Sequence, residues 1–302
     1  MMDHVSVCIC TLRRNQTLER LLRNLALQET NGFFSFSVVI VDNDATGPAR
    51  ETVTRLKTDL ALDLTYVIEP VQIIAAARNH AVQLAKGNYI GIIDDDEFPP
   101  PHWLLRMYES IKTFEVDGAL GPVIPFFEQR PPAWLAKSHF CERPAHRTGT
   151  LLSWDQTRTG NVLLRKHVFD EHNLRFDLKY KTSGSDKEFF REAMALGYRF
   201  VAVEEAPVYE VVPPERQVKT YYLKRAMLQA SNERKFRAPL LHGAAKVFIP
   251  MRVTAALLVY TLILPFSFFA GSHSLIRILE KCAYHLSWLL TMLGFDFAKK
   301  RN

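Results

Sequence analysis

The chain has 302 residues, 48% hydrophobic and 23% charged, with a net charge of +6 and a pI near 9.1. This composition excludes a disordered chain, and the length allows one large domain with an appendage, or two domains. The positive balance favours an acidic partner such as nucleic acid, anionic lipid or a phosphorylated substrate.

The four cysteines (Cys8, Cys10, Cys141 and Cys282) form no C-x-x-C pair, so neither a zinc site nor a disulfide framework is supported. Their usage fits a reducing compartment. The first residues enter a strand at once, and no signal peptide is expected.

Strand and helix alternate over the first 125 residues. Val5–Cys10 is an apolar, β-rich run, and Thr17–Leu27 places Leu18, Leu21, Leu22 and Leu25 on one helical face. Ser37–Val41 reads as a second strand, Thr46–Leu60 as a helix and Leu64–Ile68 as a third strand. Ile74–Ala85 is an alanine-rich helix ended by Gly87, and Tyr89–Ile93 is a fourth strand. Pro101–Phe114 predicts a helix, with Trp103, Leu104, Met107, Tyr108 and Ile111 at helical spacing, and Ala119–Ile124 a fifth strand. Alternation of this kind predicts an α/β fold with a mostly parallel sheet covered on both faces.

Residues 125–185 are less regular and read as a connecting, acceptor-binding region. Asp186–Leu196 is an amphipathic helix, followed by a strand at Phe200–Val203 and a basic, helix-like stretch over 215–237. Val253–Gly271 carries no charge over a length near that of a bilayer core. Pro265 is expected to interrupt it, and Gly271–Ser274 to turn the chain into a second apolar stretch, Cys282–Phe295. Lys246 and Arg252 precede the pair, and Lys299, Lys300 and Arg301 follow it, which predicts a hairpin or a re-entrant element with both ends on the cytoplasmic side. The competing reading is a buried helical pair in the globular fold, or an oligomer interface. The expected domains are 1–240, with halves 1–125 and 126–240, and an apolar helical segment at 241–302.

Asp94, Asp95 and Asp96 end the fourth strand. Burial and mutual repulsion would raise their pKa values, and a divalent cation with substrate phosphates would relieve both. The bland alternative is a solvated acidic turn. Asp42, Asn43 and Asp44 end the second strand. In a parallel sheet ligands bind beyond the carboxyl ends of the strands, so two polar strand ends converge on one place.

The segments Val5–Thr11, Val39–Asp44, Ala77-Arg78-Asn79, Ile93–Glu97 and Pro101–Leu104 resemble an inverting family 2 glycosyltransferase of the GT-A fold, the Rossmann-like kind with flanking helices. The likeness covers about residues 4–235 and is to bacterial members that build surface polysaccharides. It implies a UDP-sugar donor, Mn²⁺ or Mg²⁺, and a saccharide or lipid-linked acceptor, with no nucleic acid among the partners. It places the protein at the cytoplasmic face of the bacterial inner membrane.

The implied donor-binding residues are Thr11, Arg14, Asp42, Asn43, Asp44, Arg78, Asn79, Asp94 and Asp95. Asp96 is the implied metal ligand and Asp186 the general base, while Gly160, Asn161 and Ser185 lie toward the acceptor. Which of Asp42, Asn43 and Asp44 reads the base stays open, and Asp186 also reads as a helix cap.

Two other enzyme classes fit less well. A nucleotidyltransferase would need a glycine-rich loop after the first strand, and Thr11–Asn15 has no glycine. A haloacid-type phosphatase would carry its acidic pair near the chain start. An inert, basic membrane adaptor is the non-enzyme alternative.

Overall fold

The structure is a computed structural model that describes residues 2–180, 184–238, 241–295 and 297. In chain order the elements begin β1 (Asp3–Thr11), α1 (Asn15–Leu25), β2 (Phe34–Asp42), α2 (Arg50–Asp59), β3 (Leu64–Ile68), α3 (Ile74–Leu84) and β4 (Tyr89–Ile92). They continue with β5 (Glu97–Phe98), α4 (Trp103–Thr113), β6 (Gly118–Leu120), β7 (Val123–Phe126), α5 (Ala133–Ser138), β8 (Val162–Arg165) and α6 (His167–Asp170). The last are α7 (Ser185–Ala195), β9 (Phe200–Ala202), β10 (Val208–Val211), α8 (Lys219–Arg237), α9 (Ala245–Ser267) and α10 (Ser272–Met292).

The chain divides into two compact units, one of residues 1–126 with 142–211 and one of 127–141 with 212–302. This division differs from the composition boundary at 240, because the basic helix α8 packs on α10.

In the first unit a seven-stranded sheet has the order β3-β2-β1-β4-β8-β6-β9. β3, β2, β1 and β4 run parallel, and β8 is antiparallel to both β4 and β6. Side chains alternate across each strand. Val5, Val7 and Ile9 of β1 therefore join Leu18, Leu22, Trp103 and Met107 on one face, while Cys8 joins Ala77, Ala81 and Phe189 on the other. Two apolar faces explain why β1, β2 and β4 read as nearly unbroken apolar runs. Gly87 is a glycine by necessity, since a Cβ there would lie 2.4 Å from the His4 carbonyl oxygen.

Three expectations need correction. The strand expected over Ala119–Ile124 is two strands: β6 lies in the large sheet, and β7 pairs with β10 in a small β5-β10-β7 sheet. The chain turns at Gly121-Pro122, where a Cβ on Gly121 would sit 1.9 Å from the Ala206 carbonyl oxygen. The helix expected from Thr46 begins at Arg50, because Asp42 and Asp44 bind the intervening loop. In the second unit Pro265 does not interrupt its helix, for α9 runs through both Pro250 and Pro265.

In that second unit α10 packs on α5, α8 and α9. Ala230, Val253 and Trp288 form its small core. Arg277 Nε donates to the Ser138 carbonyl at 2.8 Å, and Ser287 Oγ to the Met227 carbonyl at 2.7 Å. The turn between the last two helices is short, with Gly271 at φ 99° leading directly into α10. α9 is long and apolar enough to cross a membrane, and much of it is exposed, with Leu262 72% and Phe266 73% accessible. α10 carries Arg277, Glu280 and Lys281 within its length.

Candidate active site

Strand register assembles the site. Thr11, the last residue of β1, pairs with Asp42, the last of β2. Cys8 pairs with Ile92 of β4, so Asp94–Asp96 emerge beside the end of β1. Thr11 Oγ1 donates to Asp95 Oδ2 at 2.8 Å, while Arg14 Nη1 reaches Asp95 Oδ1 and Asp96 Oδ2, each at 2.9 Å.

Arg14 and Thr11 do not offset the crowding of carboxylates. Burial holds Asp95 above the usual carboxylate range, with Arg14 opposing and Asp94 adding to the rise. Burial pushes Asp96 up to about 6, again with Arg14 opposing and with Asp94 and Asp95 repelling. Glu97, buried beside them, is raised well above its ordinary value by desolvation and then by Asp94. Arg78 approaches from α3, its Nη2 3.6 Å from Asp94 Oδ1 and its guanidinium over the Phe176 ring.

Asp94 (44% exposed) and Asp96 (13%) reach the surface, whereas Asp95 (6%) is held inside by Thr11 and Arg14. Hard carboxylate oxygens that are short of positive charge and open toward the strand ends fit a Mg²⁺ or Mn²⁺ ion that shares its coordination with phosphate oxygens. Among the described residues no three His, Cys, Asp or Glu side chains form an all-protein cage.

The other strand end is bonded inward. Asp42 Oδ2 accepts from the Ala49 N–H and the Tyr66 hydroxyl, each at 2.9 Å. Asn43 Nδ2 donates to the carbonyls of Glu69 and Val71, which ties β2 to the loop before α3 and leaves Oδ1 without a donor among the described residues. Asp44 accepts from the Thr46 N–H and hydroxyl and from Arg13 Nε, bonds that hold its carboxyl down at about 2.

The remaining expected residues separate into two groups. Asn79 and Asn161 are committed to the scaffold. Asn79 donates to the Phe176 carbonyl and accepts from its N–H. Asn161, fully buried at φ 59°, accepts from Trp103 Nε1 at 2.7 Å and donates to the carbonyls of Pro122 and Ala206. Gly160 packs against the acidic cluster, where a Cβ would lie 2.9 Å from Glu97 Oε1 and 3.1 Å from Asp94 Oδ2.

Ser185 is buried at the start of α7, and Asp186 follows it, half-buried. Gly184 at φ 102° takes the cap position, and Asp186 makes no capping bond. Its carboxylate has no hydrogen bond or ion pair among the described residues.

The site also includes residues that sequence reasoning passed over. Glu210 of β10 lies in register with Glu97 and pairs with Arg143, and the Val211 N–H donates to the Asp96 carbonyl. The strands that bring them together are two to four residues long and carry no periodic signal.

A mostly parallel α/β sheet with a carboxylate cluster at its strand ends binds its ligand beyond those ends. The sequence pattern of glycosyl transferase family 2 matches residues 6–176. The chain is 30% identical over 244 residues to the succinoglycan biosynthesis protein ExoM of Rhizobium meliloti (strain 1021), covering 80% of this chain and 77% of that protein. A shorter likeness, 25% identical over 122 residues, joins 40% of this chain to 18% of the Escherichia coli chondroitin synthase. The fold is similar to that of S. aureus TarS 1–349 in complex with UDP-GlcNAc, with a TM-score of 0.57 at 16% identity over 100% of this chain and 98% of that one. The chain belongs to glycosyl transferase family 2.

Proposed function

We propose that this enzyme transfers a hexose, with inversion, from a UDP-sugar to a hydroxyl of a saccharide or lipid-linked acceptor in bacterial polysaccharide biosynthesis. The observation that carries the reading is the division of labour among the acids. Asp94–Asp96 crowd together, with Asp95 and Asp96 raised above the usual carboxylate range, while Asp186 lies apart from them in sequence and carries no ion pair among the described residues. The relatives named for polysaccharide products, and the structural neighbour solved with UDP-GlcNAc, support it.

Asn43 Oδ1, without a donor among the described residues, accepts the imide N–H of uracil, while Asp42 and Asp44 hold the loop around it. Arg78 meets the diphosphate through charge-assisted hydrogen bonds. Asp96, with Asp94, would hold Mn²⁺ or Mg²⁺, and the bound ion supplies neutralisation of charge on the leaving diphosphate. Asp186 takes the proton from the acceptor hydroxyl as that oxygen attacks the anomeric carbon from the face opposite the diphosphate. A screen of nucleotide sugars by thermal shift with Mn²⁺ tests the donor: a UDP-hexose should raise the melting temperature most, and preference for another base would refute the UDP assignment.

The exposed, apolar α9 and the basic residues of α8 support attachment to the cytoplasmic face of the inner membrane, since basic flanks attract anionic headgroups. Leu262→Glu combined with Phe266→Glu should move the protein from the membrane to the soluble fraction. Unchanged partitioning would refute α9 as the anchor.

A further inference from the structure

The segment 153–160 joins the two halves of the site. At one end it is fastened to the helix that carries Asp186: Lys187 Nζ donates to the Asp155 carbonyl at 3.2 Å and lies 6.0 Å from the Trp154 ring centre. Thr157 Oγ1 closes the turn on the Trp154 carbonyl at 2.6 Å. At the other end Gly160 packs directly on Glu97 and Asp94.

Arg158 lies between these attachments, flanked by the buried Thr157 and Thr159. The other arginines of the site are engaged: Arg14 with Asp95 and Asp96, Arg78 with Asp94, and Arg143 with Glu210. Arg158 has no carboxylate within ion-pair distance among the described residues. Burial and the Arg143 charge push its pKa down, while Glu97, Glu210 and Asp186 act on it in the opposite sense from longer range. A partly desolvated cation without a close counter-ion is costly unless an anion arrives to meet it.

We infer that Arg158 receives the β-phosphate of the departing nucleoside diphosphate, an inference that rests on the nucleotide-sugar reading above. In the transfer step the bond between the anomeric carbon and the β-phosphate oxygen breaks, and its electron pair stays on that oxygen. The acceptor oxygen forms the new bond, and its proton passes to Asp186. Negative charge therefore grows on the β-phosphate, and a guanidinium there binds the departing group more tightly than the intact donor.

The test is calorimetric titration of UDP and of UMP, with Mn²⁺ present, into the full-length wild type and Arg158→Ala. UDP affinity should fall about 10- to 100-fold in the variant, the scale of one lost charge-assisted bond, with UMP affinity unchanged. Turnover should fall by more than the donor KM rises, and Arg158→Lys should recover part of both losses. Equal losses for UDP and UMP, or no loss for either, would overturn the inference. If Arg158→Ala does not fold, Arg158→Gln serves with the same criteria. Failure of the wild type to bind UDP at all would defeat the donor reading itself, and this inference with it.

Discussion

At the end of β2, Asp44, the Asn43 amide nitrogen and one oxygen of Asp42 are bonded into the protein; at the end of β4, Asp94, Asp95 and Asp96 crowd together, and Asp95 and Asp96 are raised by burial and by that crowding. Asp44 is held down at about 2 by the Thr46 backbone, Arg13 and the Thr46 hydroxyl, whereas Asp96 is pushed up to about 6 by burial and its acidic neighbours. The two ends flank β1 in the same sheet and are built from similar residue types. The difference is one of balance: donors within the fold hold Asp44 down, whereas Asp95 and Asp96 stay raised despite Thr11 and Arg14, an arrangement that suits a ligand bringing positive charge with it. An acidic strand end is thus informative about binding only once its hydrogen-bond donors have been counted.

Four expected outcomes break or sharpen this contrast. The largest concerns neither end. Asp186→Asn should lower transfer by ~10²–10⁴-fold, the usual worth of a general base, and leave UDP affinity as in the wild type. Loss of UDP binding in that variant would show that the proton acceptor lies elsewhere.

The second is a pH dependence. Asp96 must lose its proton before it binds metal, so Mn²⁺ affinity, measured with UDP present, should fall about tenfold per pH unit below about pH 6 and level off above it. The same raised pKa makes the proton-bound form the stabilised one in the metal-free protein. Its contribution to stability is therefore fully present below the ordinary carboxylate pKa and is lost as pH rises through about 6. The third outcome follows from that sign: the melting temperature of metal-free Asp96→Asn should fall less than that of the wild type between pH 4.5 and 7. Identical profiles would remove Asp96 as the titrating group.

The smallest effect belongs to β2. Asp42→Asn disturbs the bonds from Ala49 and Tyr66 and should cost about 1–3 kcal/mol in chemical denaturation, with UDP affinity unchanged. A large loss of UDP affinity at unchanged stability would erase the contrast between the two ends.

The parallel half of the sheet was legible in the sequence because β1 to β4 are apolar-rich runs, two of them leading into aspartates, separated by helices. The site was partly legible for the same reason: Thr11, Arg14, Arg78 and Asp94–Asp96 all lie at ends of those elements and meet there. Asn79 and Asn161 show the limit. Both read as site residues by position, yet their amides clamp Phe176, Trp103, Pro122 and Ala206, partners up to 97 positions away. Glu210 was invisible for the converse reason, since only a pairing between two short strands makes it a neighbour of Glu97, and Arg143 joins through its ion pair with Glu210. In the second unit, composition located the apolar segment but not its helix ends, because the backbone runs on through Pro250 and Pro265 where local propensity predicts a break.

The most direct test of the central claim is titration of UDP into the full-length protein with and without Mn²⁺, repeated on Asp96→Ala. The account predicts that Mn²⁺ strengthens UDP binding in the wild type and that Asp96→Ala abolishes the Mn²⁺-dependent part. UDP binding of equal strength with and without the metal, unaffected by loss of Asp96, would contradict the claim that the β4 end is the donor half of the site.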